Sequence, residues 1–230
     1  IAAALPTTGP MELRRLLGVF ERIPDGISGA LLVSALAKSP AATTFDPKLL
    51  SARLAKFGPA VVASAKPVLD HITQQNKAKL TRMDVILAKL KDADERRGQV
   101  VFHATKTSCI ACHQKGYLGG RIGPSLNRIG NIRSERDLLE SVLFPSASFV
   151  RSFEPVSIVT KKGKTYNGTV RRETASEIVL ALDAEKTIYI PIDQVEARHT
   201  GTVSIMPAGL EKHLSDQDLA DLIYYLKVSQ

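Results

Sequence analysis

The chain has 230 residues, of which 44% are hydrophobic and 23% charged, a composition typical of globular proteins that excludes disorder throughout. No uninterrupted apolar run approaches the roughly 20 residues of a membrane-spanning helix, so no such helix is predicted. The formal net charge is +8, but Trp is absent and aromatic residues make up only 5%. This composition argues against a nucleic-acid-binding surface that stacks bases on aromatic side chains.

Residues 1–93 are interpreted as an α-helical, HEAT-like segment, because apolar residues recur there at helical spacing. The predicted helices are Leu13–Ile23, Ile27–Ala37, Leu49–Phe57, Ala60–Ile72 and Leu80–Leu90. Asp46 and Pro47 fit an N-cap followed by proline at the first helical position. Fewer than three full repeats are hardly stable alone, so we expect the segment to pack on the following domain or to continue an upstream array.

The only two cysteines, Cys109 and Cys112, are followed directly by His113. The pattern C-x-x-C-H is the attachment signature of c-type haem. Residues i and i+3 share one face of a helical turn, so both sulfurs can reach the two vinyl groups of one porphyrin. His113 can then ligate the iron from the same side. A bare dithiol or disulfide and a zinc site are the alternatives, although zinc would need a second pair of ligands.

Met206 is predicted to be the second axial ligand, because His/Met ligation raises the potential of a haem electron carrier. The other two methionines, Met11 and Met83, lie in apolar stripes of predicted helices, where core packing is the simpler interpretation. Met206 precedes Pro207, and proline restrains the residue before it to extended conformations. A thioether on such a stiff loop suits axial ligation.

The regions that flank these residues predict helices and close packing. Two capping boxes, Ser134–Asp137 and Ser215–Asp218, predict the starts of two helices that follow the cysteines. Gly98 allows a close approach between helices, with Phe102 available to pack against Tyr225.

Residues 152–200 are predicted to contain short antiparallel strands, because apolar and polar residues alternate between turn residues. The predicted strands are Val156–Thr160, Tyr166–Val170, Glu177–Leu182, Thr187–Ile190 and, last, Ile192–Val195. Four or five such strands suggest a small barrel inserted before the Met206 loop. Its expected role is to shield the haem edge and brace that loop, with partner docking as an alternative.

Several motifs occur in a fixed order: G-x-x-x-F, C-x-x-C-H, G-P-x-L, M-P and D-L-I-x-Y-L. Together they resemble a class I cytochrome c. Residues 94–230 resemble more closely the c-type haem-binding domain of planctomycete- and verrucomicrobial-type proteins, over stretches such as CIACHQKGYLGGRIGPSL and SIMPAGLEKHLSDQDLADLIYYL. The resemblance implies a mainly α fold, in which a HEAT-like segment (1–93) precedes a cytochrome c domain (94–230) interrupted by a barrel-like β insertion at about 152–200.

The resemblance also implies residue roles. Cys109 and Cys112 would carry the thioethers of one haem c, and His113 and Met206 would be its axial ligands. The carbonyl of Pro124 would accept a hydrogen bond from the second ring nitrogen of His113 and fix the ring's orientation. In that family the domain commonly ends a larger polypeptide with a dehydrogenase-like region. The implied function is therefore one-electron transfer rather than catalysis, in the periplasm or otherwise outside the cytoplasm, with a redox partner protein or a fused dehydrogenase domain.

The segment from residue 98 to residue 134 has no acidic residue. Its basic residues are Lys106, Lys115, Arg121, Arg128 and Arg133. At least one of the three arginines is predicted to bind a haem propionate, because arginine can bind a carboxylate bidentately. The two lysines are predicted to stay exposed near the haem edge and to steer an acidic redox partner. The alternative is a solvated face without such a role.

A second class of function stays open at this point. In a haem enzyme or gas sensor, Met206 would dissociate and open the sixth coordination position. Such a protein needs a distal acid-base residue, for which the candidates are His103, His199 and His213, none of them in a recognisable distal motif. An interaction module with haem as a structural element is a third interpretation.

Overall fold

The structure, a computed structural model, describes most of the chain, namely residues 10–148, 150, 152–183, 185–201 and 204–229. The chain divides into two compact units, Ile1–Thr81 and Arg82–Gln230. This division falls N-terminal to residue 94, the expected start of the haem-binding domain. Among the described residues, every helix is too short or too polar to cross a membrane.

The described part of the N-terminal unit is helical. Its α-helices are α1 (Pro10–Phe20), α2 (Gly26–Lys38), α3 (Pro47–Leu54) and the first part of α4 (Pro59–Ala88). The predicted cap of α3 is confirmed, because the Asp46 carboxylate accepts hydrogen bonds from the N–H groups of Lys48 and Leu49 at 2.8 and 2.9 Å. The unit has its own apolar core of buried side chains, among them Leu32, Leu50 and Ile72.

The prediction of two separate helices, Ala60–Ile72 and Leu80–Leu90, is wrong, because Ala60–Ile72 and all but the last two residues of Leu80–Leu90 belong to the continuous helix α4. The apolar pattern fades between residues 73 and 79. That stretch is rich in glutamine, lysine and alanine, however, and these residues have high helix propensity. Loss of amphipathic pattern in a helix indicates exposure rather than an end.

The described residues of the second unit contain the end of α4 and four further α-helices: α5 (Glu95–His103), α6 (Cys109–Cys112), α7 (Glu135–Leu143) and α8 (Asp216–Val228). Both predicted capping boxes are confirmed. At the start of α7, Ser134 Oγ accepts a hydrogen bond from the Asp137 N–H, and the Asp137 carboxylate accepts one from the Ser134 N–H. The same reciprocal pair joins Ser215 and Asp218 at the start of α8.

Helices α5 and α8 pack closely, as the glycine in α5 predicted. A Cβ atom on Gly98 would collide with the carbonyl oxygen of Asp221 and lie 2.6 Å from the Cβ of Tyr225. One turn further on, Phe102 is fully buried with its ring centroid 5.8 Å from that of Tyr225. An ion pair between Arg97 and the buried carboxylate of Asp221 joins the same two helices at 2.6 Å.

The strands form one antiparallel sheet in the order β4-β3-β2-β1-β5. They are β1 (Pro155–Thr160), β2 (Thr165–Glu173), β3 (Glu177–Ala181), β4 (Thr187–Pro191) and β5 (Val195–Thr200). The first four agree with the predicted strands. The last prediction, a strand over Ile192–Val195, is wrong, since Ile192–Gln194 forms a single 3-10 turn and the fifth strand begins only at its end.

The expected fold class, a mainly α chain with a cytochrome c fold interrupted by a barrel-like insert, is also wrong. The described residues are about 54% helical and form an open five-stranded sheet, so the chain is mixed α/β. A barrel closes only when its terminal strands pair with each other. Here β5 pairs with β1, and β4 pairs with β3, so within the described residues the outer edges of β4 and β5 stay unpaired. The number of strands predicted from sequence therefore does not determine whether the sheet closes into a barrel.

Candidate haem-attachment site

Cys109 and Cys112 are the first and last residues of α6, a single helical turn. The chain enters this turn through Ser108, which has a left-handed φ of 48° and donates from its hydroxyl to the Thr105 carbonyl at 2.6 Å. Thr107, just before it, is buried and donates to the carbonyl of Val101 in α5 at 2.7 Å. These bonds fix the start of α6 relative to α5, and its single turn puts both thiols on one face.

Both cysteines are free thiols and half-buried. Burial raises the pKa of Cys109, an effect that a hydrogen bond with Thr107 partly offsets. Burial also raises the pKa of Cys112, and the negative charge of Asp183 adds to the effect. A reactive thiol of a redox enzyme has a lowered pKa, so the electrostatics here are opposite to those of a catalytic dithiol.

His113 is the C-cap of α6, and its N–H donates to the Cys109 carbonyl at 2.9 Å. Its half-buried ring has Nδ1 at 2.8 Å from the carbonyl oxygen of Pro124, which is the contact that the resemblance implied. Burial lowers the pKa of the ring, while the hydrogen bond to Pro124 acts in the opposite direction. A neutral ring with Nδ1–H bonded to a carbonyl leaves Nε2 as the nitrogen that can ligate a metal.

A glycine-rich loop wraps α6 at very close range. A Cβ atom on Gly120 would collide with the Ala111 carbonyl oxygen, and one on Gly123 would lie 2.5 Å from Cε1 of the His113 ring. The N–H of Gly120 donates to the carbonyl of Ile110 at 2.8 Å. Sequence reasoning missed the role of Gly120, although the density of glycines after the cysteines is a signal for close backbone approach.

Met206 is half-buried and packs against the same apolar cluster as Cys109. Its N–H donates to Ser204 Oγ at 3.1 Å, and the Ser204 N–H donates to Ser146 Oγ at 3.1 Å. The thioether and α6 therefore meet at one core, although ligation by Met206 stays a prediction. Two residues of its loop, numbers 202 and 203, lie outside the described part of the chain.

The other two methionines were interpreted as core residues. Met83 is 2% exposed and lies in the apolar cluster of the second unit, which confirms that interpretation. The side chain of Met11 lies outside the described part of the chain.

The three arginines proposed for propionate binding, Arg121, Arg128 and Arg133, are all exposed. Sequence reasoning missed a fourth arginine, Arg171 on β2. Its side chain is exposed, and its pKa is lowered by desolvation and by the positive charge of Arg121. Propionate binding stays a prediction.

The prediction that Lys115 stays exposed is wrong. The residue is only 7% exposed, and its ammonium group donates to the carbonyls of Leu126 at 3.1 Å and Ser229 at 2.6 Å. The same group lies 5.8 Å from the centre of the Tyr225 ring. A lysine stem can pack along apolar surface while its charge finds acceptors, which a charge pattern in sequence does not reveal. Lys106 is exposed, as predicted.

The arrangement of side chains does not favour a zinc site or a haem enzyme with a distal acid-base residue. Within the described ranges, no three His, Cys, Asp or Glu residues form a group that could hold a metal ion, as a zinc site requires. The candidates for a distal acid-base residue, His103, His199 and His213, are all exposed. The donors of a haem c site, two thiols on one turn and an oriented imidazole, fit this cofactor.

Comparisons with known proteins add no assignment: no protein-family model matches the chain, and no curated protein matches it.

Proposed function

We propose that the chain is a c-type cytochrome electron carrier, with one haem c bound covalently through Cys109 and Cys112. His113 and Met206 are its axial ligands. The observation that carries the proposal is the oriented imidazole, which directly follows two thiols on one helical turn and bonds through Nδ1 to Pro124. When bound in this way, the cofactor supplies one-electron cycling between Fe(III) and Fe(II).

The work of the protein is to orient the ligands. The Pro124 carbonyl accepts the Nδ1–H of His113, which selects the tautomer with a free Nε2 and raises the basicity of the ring. Gly123 packs flat against the imidazole, so the ring has little freedom to rotate. At the second proposed ligand, hydrogen bonds to Ser204 and Ser146 fix the backbone of the Met206 loop. A thioether ligand raises the reduction potential relative to a second imidazole.

The apolar core of the second unit reaches this site. Phe102, Leu139 and Leu143 are fully buried members of the cluster, and Cys109 and Met206 pack at its margin. An apolar shell controls solvent access and local dielectric, and so tunes the potential of a redox centre.

The electron partners follow from the same proposal. A redox partner protein or a fused dehydrogenase domain exchanges electrons with the site, outside the cytoplasm, where c-type haem is attached. At least one of Arg121, Arg128 and Arg133 binds a haem propionate; all three are exposed and available for such a contact.

Covalent attachment tests the proposal. The full chain is produced by cells that attach haem to exported proteins, and the purified protein is subjected to acid–acetone extraction and denaturing electrophoresis. The haem should stay with the polypeptide through both steps. The Cys109→Ala/Cys112→Ala variant serves as the matched control and should lose its haem in both. Release of free haem from the unmodified chain overturns the proposal.

A further inference from the structure

Tyr117 and Leu118 project from the surface immediately after the C-x-x-C-H segment. Tyr117 is 103% exposed, more than any other large apolar side chain of the described residues, and its neighbour is 64% exposed. Single exposed apolar residues need no explanation. Two adjacent ones at the tip of a turn beside a cofactor site are different, because tyrosine is enriched in the centres of protein interfaces.

The turn that carries them is held rigidly. Lys115 and Leu118 exchange two backbone hydrogen bonds, of 2.9 and 3.3 Å. Gly116 has a left-handed φ of 62°, its N–H donates to the Asn127 side chain at 2.6 Å, and its carbonyl accepts from the same amide at 3.2 Å. The buried ammonium of Lys115 anchors the base of the turn. Because the turn is already ordered, a partner that docks on it loses little conformational entropy at this surface.

The turn is also fixed to the proposed haem site. Gly119 directly follows the tip and has a φ of 106°, and a Cβ atom there would collide with the carbonyl oxygen of His113. A protein that contacts Tyr117 therefore lies against the loop that holds the imidazole.

The charge around the tip selects the partner. Arg121 follows the turn by three residues, and Arg128 is next to Asn127, which is bonded to the turn. Neither arginine pairs with a carboxylate among the described residues, and the segment from residue 98 to residue 134 contains no acid. At least one of the three arginines is assigned to a haem propionate, so the positive charge at the tip comes from whichever of Arg121 and Arg128 that contact leaves unpaired. Such a charge beside an apolar tip attracts an acidic protein and repels a basic one.

We propose that Tyr117 and Leu118 form the docking surface for an acidic electron-transfer protein, with Arg121 and Arg128 as its positive rim. This inference rests on the proposed function, because the surface matters only if the neighbouring segment holds a haem.

Binding is measured with the haem-loaded full chain and a zinc-substituted acidic blue-copper protein as the probe, so that affinity is separated from electron transfer. In calorimetric titration at low ionic strength, Tyr117→Ser/Leu118→Ser should weaken the affinity about tenfold, as loss of an aromatic anchor does. The control is Tyr189→Ser, because Tyr189 is a 65% exposed tyrosine on β4. Its affinity should equal that of the unmodified chain. The affinities of the unmodified chain and of the Tyr189→Ser control should both fall as added salt shortens the Debye length.

Unchanged affinity in the double variant overturns the docking surface, and so does equal binding of a basic copper protein. Sedimentation of the chain alone tests for a second copy as the occupant. Concentration-dependent self-association that disappears in the double variant also overturns the proposal of an acidic partner. Haem content is measured on each sample. A sample without haem contradicts the proposed function itself, whereas a haem-loaded sample that does not bind the probe contradicts only the docking surface.

Discussion

Gly98 on α5 and Asp221 on α8 touch through their backbones. A Cβ atom on Gly98 would collide with the carbonyl oxygen of Asp221, and it would also lie 2.6 Å from the Cβ of Tyr225. No larger residue fits unless the two helices separate. This contact therefore sets the distance between α5 and α8, and the start of α6 is hydrogen-bonded to α5.

Gly98→Ala should destabilise the protein by roughly 3 kcal/mol, because overpacking against fixed backbone forces the helices apart. The loss is measured as a shift in the urea midpoint, followed by circular dichroism. Gly18→Ala is the matched control: Gly18 lies in α1, and a Cβ there meets nothing within 4 Å. Alanine should leave stability unchanged or raise it slightly there. Equal stability of Gly98→Ala and the unmodified chain contradicts the close packing.

Asp221→Asn should lower stability at neutral pH and flatten its acid dependence. The carboxylate is 2% exposed and accepts hydrogen bonds from Arg97, from the Asp94 N–H and from Gln217. Burial alone would raise the pKa of Asp221, but these bonds outweigh it and lower the pKa. Their stabilisation is therefore present above the unfolded pKa of about 3.9 and is lost as pH falls through the lower folded value.

Since Arg97 is half exposed and can be solvated when unpaired, the expected loss at pH 7 is about 2 kcal/mol, below that for a fully buried pair. Urea unfolding from pH 7 down to pH 3 measures both effects. Asp84→Asn provides the comparison, because Asp84 forms an exposed pair with Arg136 and should change stability little. An acid dependence of Asp221→Asn as steep as that of the unmodified chain refutes the prediction.

Met206→His should lower the midpoint potential and abolish the sulfur-to-iron absorption band, while covalent haem is retained. Axial ligands move haem potentials over about 0.8 V, and imidazole lowers the potential relative to a thioether. Spectroelectrochemistry gives both readouts. Met83→Leu is the control, because Met83 is a core residue and the change keeps its volume. If spectrum and potential stay unchanged in Met206→His, the ligand is another residue, and His199 and His213 are the next candidates.

Gly123→Ala should leave the haem attached but disturb its coordination. The added methyl would lie 2.5 Å from Cε1 and 2.8 Å from Nδ1 of His113, so the ring must turn away from Pro124. We expect a larger high-spin fraction and easier binding of CO or cyanide. Gly26→Ala, at a position where a Cβ has open space, should keep the original spectrum. An unperturbed spectrum in Gly123→Ala shows that the glycine does not position the imidazole.

Lys115 and Lys106 should behave in opposite ways. Lys115→Met removes the donor to the carbonyls of Leu126 and Ser229, which should cost about 2 kcal/mol of stability. The salt dependence of partner binding should stay the same. Lys106→Met should leave stability unchanged and weaken the salt dependence, because Lys106 is exposed. A stable Lys115→Met variant with weakened salt dependence reinstates Lys115 as a surface charge.

The features that sequence reasoning predicted are those that depend on a few neighbouring residues. The capping boxes at Ser134 and Ser215 are local hydrogen-bond patterns, and each is present. The glycine at residue 98 indicated close helix packing because only one residue type allows it. The hydrogen bond between His113 and Pro124 joins residues in a short loop, which resemblance to a known motif can specify.

The features that sequence reasoning did not predict depend on contacts between residues far apart in the chain. Whether the sheet closes into a barrel depends on which strand pairs with β5. The alternation of apolar and polar residues does not specify that pairing. The burial of Lys115 depends on carbonyls supplied by Leu126 and Ser229. The effect of Arg121 on the pKa of Arg171 depends on the placement of β2, so the charge pattern along the sequence gave no indication of it.

The position of β1 in the sheet has a consequence for synthesis. β1 pairs with β2 on one edge and with β5 on the other, although Thr160 ends β1 and Val195 begins β5. A ribosome that makes the chain from its N-terminus delivers the second partner last. Until it arrives, the nascent sheet has a free edge at β1, of the kind that templates pairing with another chain. Pairing of β5 therefore exchanges a free edge on the mostly buried strand β1 for one on the more exposed, charged strand β5.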